Sequence, residues 1–380
     1  MWRVISHLNG PELVASFQRI CGLFPKNNSS NNHHGLITTN GSLKDASVTP
    51  RQRKMEQVLN ETSRADGNYS GAHENTIDEH RSGPQYEVRN WLFYFLFVTS
   101  ASLGHEVFYI TFLPSIQWNF EPFLCRRLVN MWAMRVDAEY GMPSTHAMAA
   151  TAISFTLLLS ARERVEFPFE LGLAVAVLVS ALVCLSRLYT GMHSALDVIC
   201  GVVLSALIIA ISYPFWTTID YLQLHFPLSP VLAIVFHLLL CYKYPELDHY
   251  STTRGDTTII MACSAGSSFG YWVNERLGLT FDLSGPFPVT LQPLTMAALG
   301  LGFARFVVGV VMLVLTRQTM RYLTLRVICW FCGASVSDVD ARKRKEIEVP
   351  YKFSTYVSVG LVNSMLVNRM FVKMGLWKLD

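Results

Sequence analysis

The sequence predicts an all-α polytopic membrane protein, a transmembrane helix bundle of about eight spans behind a disordered polar N-terminal tail. Three observations carry that prediction. Of the 380 residues, 51% are hydrophobic and only 16% charged, with a mean hydropathy of +0.29, which is too apolar for an ordinary soluble chain of this size. The apolar residues gather into blocks near the roughly 20 residues needed to cross a bilayer core. The first ninety or so residues have the opposite character, Asn/Ser-rich and poor in aliphatics. A net charge of +3 gives no reason to expect a nucleic-acid partner; the expected surroundings are a lipid bilayer.

Two regions follow: a tail over 1–88 and a membrane-embedded region over 89–380. The opening, "MWRVISHLNGPELVASFQRICGLF", is amphipathic and lacks the apolar h-region and cleavage site of a signal peptide, so a short surface helix is expected there. Five N-x-S/T sequons, at Asn27, Asn28, Asn40, Asn60 and Asn68, test topology rather than reveal it. The eight cysteines have no framework spacing, and "CWFC" at Cys329 to Cys332 is a lone CxxC that predicts neither a disulfide scaffold nor a metal site.

The spans are expected at 91–113, 144–160, 169–186, 195–216, 228–242, 257–275, 294–316 and 354–372. The 257–275 run is the weakest, because its Gly and Ser content suits close helix contact as well as it suits crossing. Arg305 falls inside 294–316 and must face a partner or an aqueous cavity. His105 and His237 are lone histidines in apolar runs and are read as structural. Two crossings, joined by the basic turn "ARERVEF", separate "PSTH" from "SRLYTGMHSALD". Those two polar clusters therefore share one face of the membrane. The positive-inside rule puts the tail and that turn in the cytosol, but it conflicts with the cations of "TRQTMRYLTLR" and "ARKRKE" further on.

In "SRLYTGMHSALD", Arg187 ends one apolar run, and His193 and Asp197 open the next at i and i+4. On one helix face, the carboxylate would accept a hydrogen bond from one ring nitrogen and leave the other free to act as nucleophile or base. Arginine is the side chain best shaped to hold a phosphate through two parallel bonds. In "MPSTHAM", Pro143 suits the first position of a helix, where the amides of Ser144, Thr145 and His146 would bind an anion. Ser144 and Thr145 add hydroxyl donors, and His146 can protonate a departing alkoxide. Together these describe phosphoryl transfer: His193 attacks phosphorus, Arg187 and the helix amides hold the oxygens, and His146 protonates the leaving alcohol. The "DVDARK" segment around Asp338 and Asp340 is a weak aspartyl phosphatase signal without a strand-rich domain around it.

"PSTH" resembles the second signature of the type 2 phosphatidic-acid phosphatase superfamily, usually PSGH, and "SRLYTGMHSALD" matches its third, SRxxxxxHxxxD, at every fixed position. The threonine at Thr145 resembles the form used by the sphingosine-1-phosphate phosphatases. Their sequences are similar also to "EYGMPSTHAMAATAI", "LVCLSRLYTGMH", "YSTTRGDTT" and "EIEVPYKFSTY", from about Trp91 almost to the C-terminus. Of the two vertebrate types, the second is the more similar. The resemblance implies hydrolysis of sphingosine 1-phosphate and related long-chain base phosphates in sphingolipid metabolism, in the endoplasmic reticulum membrane and without a metal or other cofactor. It implies His193 as nucleophile with Asp197 as its partner, His146 as acid, and Arg187, Ser144 and Thr145 on the phosphate.

One part of the pattern is missing. The first superfamily signature, KxxxxxxRP, brings a Lys and an Arg to the phosphate; this chain has no Arg-Pro dipeptide and no lysine between Lys54 and Lys243. "CRRLVNMWAM" runs straight into "RVDAEYGMPSTH", as an internal deletion would leave it. Losing one preorganised donor costs about 10²- to 10³-fold, so impaired catalysis is expected unless Arg126, Arg127 or Arg135 substitutes. The alternative is a non-enzymatic family variant that binds lipid or a partner protein. A lost span would also reverse the orientation of everything after it.

Overall fold

A computed structural model describes residues 2–25, 86–103, 106–134, 142–245, 250, 252–282, 286–290 and 295–377. The fold is almost wholly helical. Its two short sheets pair β1 (Leu23–Pro25) antiparallel with β2 (Tyr86–Val88) and β3 (Val165–Glu166) parallel with β4 (Val289–Thr290). The chain divides into two compact units, Met1–Thr99 with Leu185–Leu196, and Ser100–Cys184 with Asp197–Asp380.

In the first unit the amphipathic opening is helical, as α1 (Trp2–Asn9) and α2 (Pro11–Ile20). Most of the segment read as a disordered tail, residues 26–85 with all five sequons, lies outside the described residues. Residues 2–25 do not fit that reading. Val14, Gln18 and Cys21 are buried, and Phe17 packs edge-on to Phe97 of α3 (Trp91–Ser102), with ring centroids 5.8 Å apart. A sparse apolar stripe of this kind is diluted by its polar neighbours in composition, but on a helix it forms one face.

The second unit holds α4 (Glu106–Asn119), α5 (Pro122–Ala133), α6 (Thr145–Arg164), most of α7 (Phe169–Tyr189) and α8 (Ala195–Ser212), and α9 (Trp216–His225), α10 (Ser229–Lys243) and α11 (Thr253–Arg276). It continues through α12 (Met296–Phe331), α13 (Val339–Arg342) and α14 (Lys345–Val362), which passes through a π turn (Asn363–Val367) into α15 (Asn368–Lys373). Every expected span coincides with helix. By length and apolarity, Phe169–Tyr189, Ala195–His225 and Met296–Phe331 suffice to cross a membrane, while Trp91–Ser102 and Ser229–Lys243 are shorter apolar helices. Two boundaries differ from expectation. The 91–113 run falls in two helices, Trp91–Ser102 and Glu106–Asn119, with Leu103 in a turn after the first. The 294–316 run continues to Phe331; at 1.5 Å per residue its 36 residues reach about 54 Å, well beyond a hydrocarbon core of about 30 Å. Arg317, Arg321 and Arg326 ride on that extension.

The 257–275 run, the least apolar of the expected spans, is the middle of the unit. In α11, Ile259, Ile260, Met261, Ala262 and Ala265 are buried among Leu113, Leu128, Val349, Phe353 and Tyr356 from α4, α5 and α14. Small residues let helix backbones approach closely, and in lipid that packing holds a bundle together where water release does not. Arg305 finds its partner in the chain: its Nε and Nη2 donate to the Leu376 carbonyl at 2.9 and 2.8 Å, and its guanidinium lies over the Trp377 ring. His237 Nδ1 bonds the Ala233 carbonyl of its own helix at 2.6 Å, a structural role as read; His105 lies outside the described residues. Asp338 caps α13 by accepting from the Asp340 and Ala341 amides, and Asp340 pairs with Lys343, so "DVDARK" is a helix start. All eight cysteines are free thiols.

Candidate active site

In the second signature the helix begins two residues later than the reading of Pro143 as its first residue suggested. α6 starts at Thr145, Ser144 is its N-cap residue, and Pro143 stands outside the helix. The first intrahelical bond runs from Met148 N to the Ser144 carbonyl at 3.0 Å, so the amides of Thr145, His146 and Ala147 form the electropositive first turn. The Ser144 amide is not part of that turn, because it donates to the Asp197 carbonyl at 3.0 Å. Ser144 is fully buried, and its hydroxyl neither caps the helix nor meets any other hydrogen-bond partner. A serine at such a position ordinarily caps. This one keeps its donor uncommitted.

The same amide bond sets the starts of α6 and α8 side by side. Asp197 is the third residue of α8. One turn further on, Gly201 faces Ser144, where a Cβ would stand 2.8 Å from the Ser144 carbonyl and 3.3 Å from Ala147 Cβ. Ser205 Oγ continues the contact by donating to the Met148 carbonyl at 3.0 Å. Ser144, Thr145, His146 and Asp197 thus belong to one packed helix pair within the larger unit.

Arg187 and His193 belong to the smaller unit. Arg187, 2% exposed, lies two residues before the end of α7, and its Nη2 contacts the Met192 sulfur. The chain turns at once: Gly191 takes a positive φ of 69°, its amide donates to the Leu188 carbonyl, and the Met192 amide donates to the Arg187 carbonyl at 3.2 Å. His193, half-buried, falls in the turn two residues ahead of α8, so His193 and Asp197 are not i and i+4 on one helix. The i, i+4 reading fails because "TGMHS" carries the positive-φ glycine that ends one helix, and the next begins only at Ala195. A further residue was missed altogether. Gln18 of α2, buried, donates from Nε2 to the Tyr189 carbonyl at 2.8 Å, and Phe97 stacks on the Tyr189 ring at 4.9 Å. The opening helices therefore brace the end of α7 that carries Arg187; only the amphipathic stripe of α2 hinted at it.

The arginines considered as substitutes for the missing cations are already engaged. Arg126 bonds Asp282 at 3.2 Å. Burial works against its charge, but Asp282 and Asp220 outweigh that and hold its pKa above the ordinary value. Arg127 is clamped between Asp220 at 3.0 Å and Glu163 at 2.7 Å. Glu163 and Arg164, the latter paired with Glu121 at 2.7 Å, end α6, roughly 30 Å along the helix from Ser144. Neither Arg126 nor Arg127 serves that end. Arg135 and the "RVDAEYG" junction lie outside the described residues. Among the described residues, no group of three or more His, Cys, Asp or Glu is placed to hold a metal ion.

Residues 88–220 match the PAP2 superfamily. The chain is 42% identical to sphingosine-1-phosphate phosphatase 2 of Homo sapiens, over 99% of this chain and 100% of that one. It is 47% identical to sphingosine-1-phosphate phosphatase 2 of Mus musculus, over 78% and 92%, and 32% identical to sphingosine-1-phosphate phosphatase 1 of Rattus norvegicus, over 97% of both. The human alignment spans 408 positions, more than the 380 residues of this chain, so the relative carries residues that face gaps here. No solved structure matches the chain. With both helix-start signatures present and similarity running from end to end, the chain belongs to the sphingosine-1-phosphate phosphatase family within the PAP2 superfamily.

Proposed function

We propose that this protein hydrolyses sphingosine 1-phosphate and related long-chain base phosphates to the free base and phosphate. Its site would be an eight-span, multi-pass domain over 89–380 in the endoplasmic reticulum membrane, with the lipid as its partner. The observation that carries the reading is the bond from the Ser144 amide to the Asp197 carbonyl, which joins the starts of the two signature helices. The full-length similarity to phosphatases of this substrate supports it.

In the first step a ring nitrogen of His193 attacks phosphorus, the bond from phosphorus to the alkyl oxygen breaks, and His146 gives its proton to the departing alkoxide. Asp197, four residues on in sequence, holds the other ring nitrogen. In the second step water attacks the phosphohistidine, His146 takes the water's proton, and inorganic phosphate leaves with His193 restored. Arg187, the first-turn amides of α6 and the hydroxyls of Ser144 and Thr145 stabilise the charge on the equatorial oxygens. With no KxxxxxxRP segment, fewer cations share that task, so turnover below that of the intact relatives is expected.

The test is phosphate release from sphingosine 1-phosphate in detergent micelles, without added metal. The protein is compared with His193→Ala and with a chain carrying a restored KxxxxxxRP segment. Release above the His193→Ala background, raised further by the restored segment, is expected. Release no greater than that background would overturn the proposal.

A further inference from the structure

Beyond the apolar part of α12 stands a basic corner that the phosphatase chemistry does not use. From Met296 to Thr316 the only charge is Arg305, and at 1.5 Å per residue that stretch covers about 31 Å, one hydrocarbon core. Arg317 therefore stands at the membrane edge, with Arg321 and Arg326 about 6 and 14 Å further along the helix. The chain then folds back. Leu325 and Cys329 of α12 bury against Ala341 of α13 and Ile347 of α14, Arg317 Nε donates to the Tyr356 hydroxyl at 2.9 Å, and the Thr324 and Thr355 hydroxyls lie 3.0 Å apart. The run "ARKRK", 341–345, is thereby held beside the last turns of α12.

This corner keeps an excess of positive charge. From Arg317 to Lys352 the chain carries eight cations and four carboxylates. Three of those carboxylates are committed: Asp338 caps α13, Asp340 pairs with Lys343, and Glu348 is held by Arg254 and Lys352. In α5 and at the end of α6, by contrast, Arg126, Arg127 and Arg164 each meet a carboxylate.

The corner also differs from an ordinary solvated face, because its cations are interleaved with exposed apolar groups. Leu323, Val327 and Trp330, at i, i+4 and i+7, are exposed, and Trp330 and Phe331 are 76% and 75% exposed. Arg321, Arg326 and Arg344 are exposed among them, and the Arg326 guanidinium lies over the Tyr322 ring, 4.1 Å from its centroid. A surface of this kind suits the headgroup layer, where apolar side chains meet the acyl boundary and cations meet phosphates. We infer that the corner from Arg317 to Lys345 is a docking surface for anionic phospholipid headgroups in the leaflet at the C-terminal end of α12. Attraction between such charges persists over the Debye length of about 8–10 Å, and the long arginine stems carry the guanidinium groups toward the phosphates. Zwitterionic headgroups bring no net charge to this surface and are held less.

The test uses the full chain, delipidated in dodecyl maltoside micelles and incubated with radiolabelled phosphatidylserine or phosphatidylcholine of the same acyl chains. Lipid retained through gel filtration is counted. At about 0.05 M salt, phosphatidylserine is expected to be retained at least about fivefold above phosphatidylcholine, and at about 0.5 M salt the ratio should fall to about twofold or less. Arg321→Gln/Arg326→Gln/Arg344→Gln changes exposed positions only and should bring the low-salt ratio down to about twofold or less. Arg162→Gln/Lys373→Gln, which removes two exposed cations elsewhere, should keep the wild-type ratio. Equal retention of both lipids, a preference that the triple variant keeps, or an equal loss in the Arg162/Lys373 pair overturns the inference. Displacement of phosphatidylserine by excess inorganic phosphate overturns it too, because the corner would then take a free anion and not a lipid.

Discussion

The amide of Ser144 donates to the carbonyl of Asp197 at 3.0 Å, so the residue that opens one signature helix is bonded to a residue in the first turn of the other. Gly201 keeps that register, since a methyl group there would meet the Ser144 carbonyl at 2.8 Å and the backbone itself would have to move. Gly201→Ala is therefore expected to lower phosphate release about 10- to 100-fold, because sub-ångström to ångström displacements of positioned groups carry losses of that order. Activity of the folded, size-exclusion-purified variant decides it; wild-type turnover would show that the register does not matter.

The Ser144 hydroxyl has no partner in the resting fold. Ser144→Ala should leave the unfolding temperature unchanged or slightly raised, since it removes an unsatisfied buried group, while lowering kcat about 10- to 100-fold through the loss of one transition-state donor. A stability loss with intact kcat would instead make the serine structural.

Gln18 supports Arg187 at one remove, through the Tyr189 carbonyl. Gln18→Ala is expected to lower phosphate release several-fold, and Gln18→Glu, which lacks the donor but keeps the shape, should fare no better. Kinetics on both variants would show this, with equal activity of wild type and Gln18→Ala counting against any bracing role for α2.

Arg127 belongs to the architecture. Arg127→Met leaves Asp220 buried without its closest cation, and breaking a buried pair from one side costs roughly 3–5 kcal/mol. Thermal unfolding and folded yield should fall while phosphate release per folded molecule stays the same. A selective loss of turnover would mean that Arg127 reaches the substrate.

Tyr250 donates to Glu348 at 3.0 Å, and burial together with the Glu348 charge pushes its phenol up from 10.0 to about 12. A folded-state pKa above the unfolded one stabilises the fold fully below the unfolded value and loses that contribution as pH rises through the folded value. The stability difference between wild type and Tyr250→Phe should thus be constant below about pH 10 and shrink between about 10 and 12. Denaturant titrations across that window measure it, and a flat difference would contradict the assignment.

Much of this protein could be read along the chain. Hydropathy located the helices because each span must satisfy its own backbone in lipid, and that demand is written locally. The candidate site residues could be named for a similar reason: Arg187, His193 and Asp197 sit at short spacings in one motif and His146 in another, next to helix starts and ends. Even the missing Lys and Arg were visible, as an absence in the text. What the chain could not reveal were relations between residues far apart in sequence. The helix boundary at Ser144, the turn that takes His193 off α8, the bond from Gln18 to Tyr189, and the engagement of Arg126 and Arg127 with Asp282, Asp220 and Glu163 depend on which backbones approach and which charges are buried together. A sequence lists donors and acceptors. Only packing decides which of them meet, and so which, like the Ser144 hydroxyl, are left with a hydrogen bond still to make.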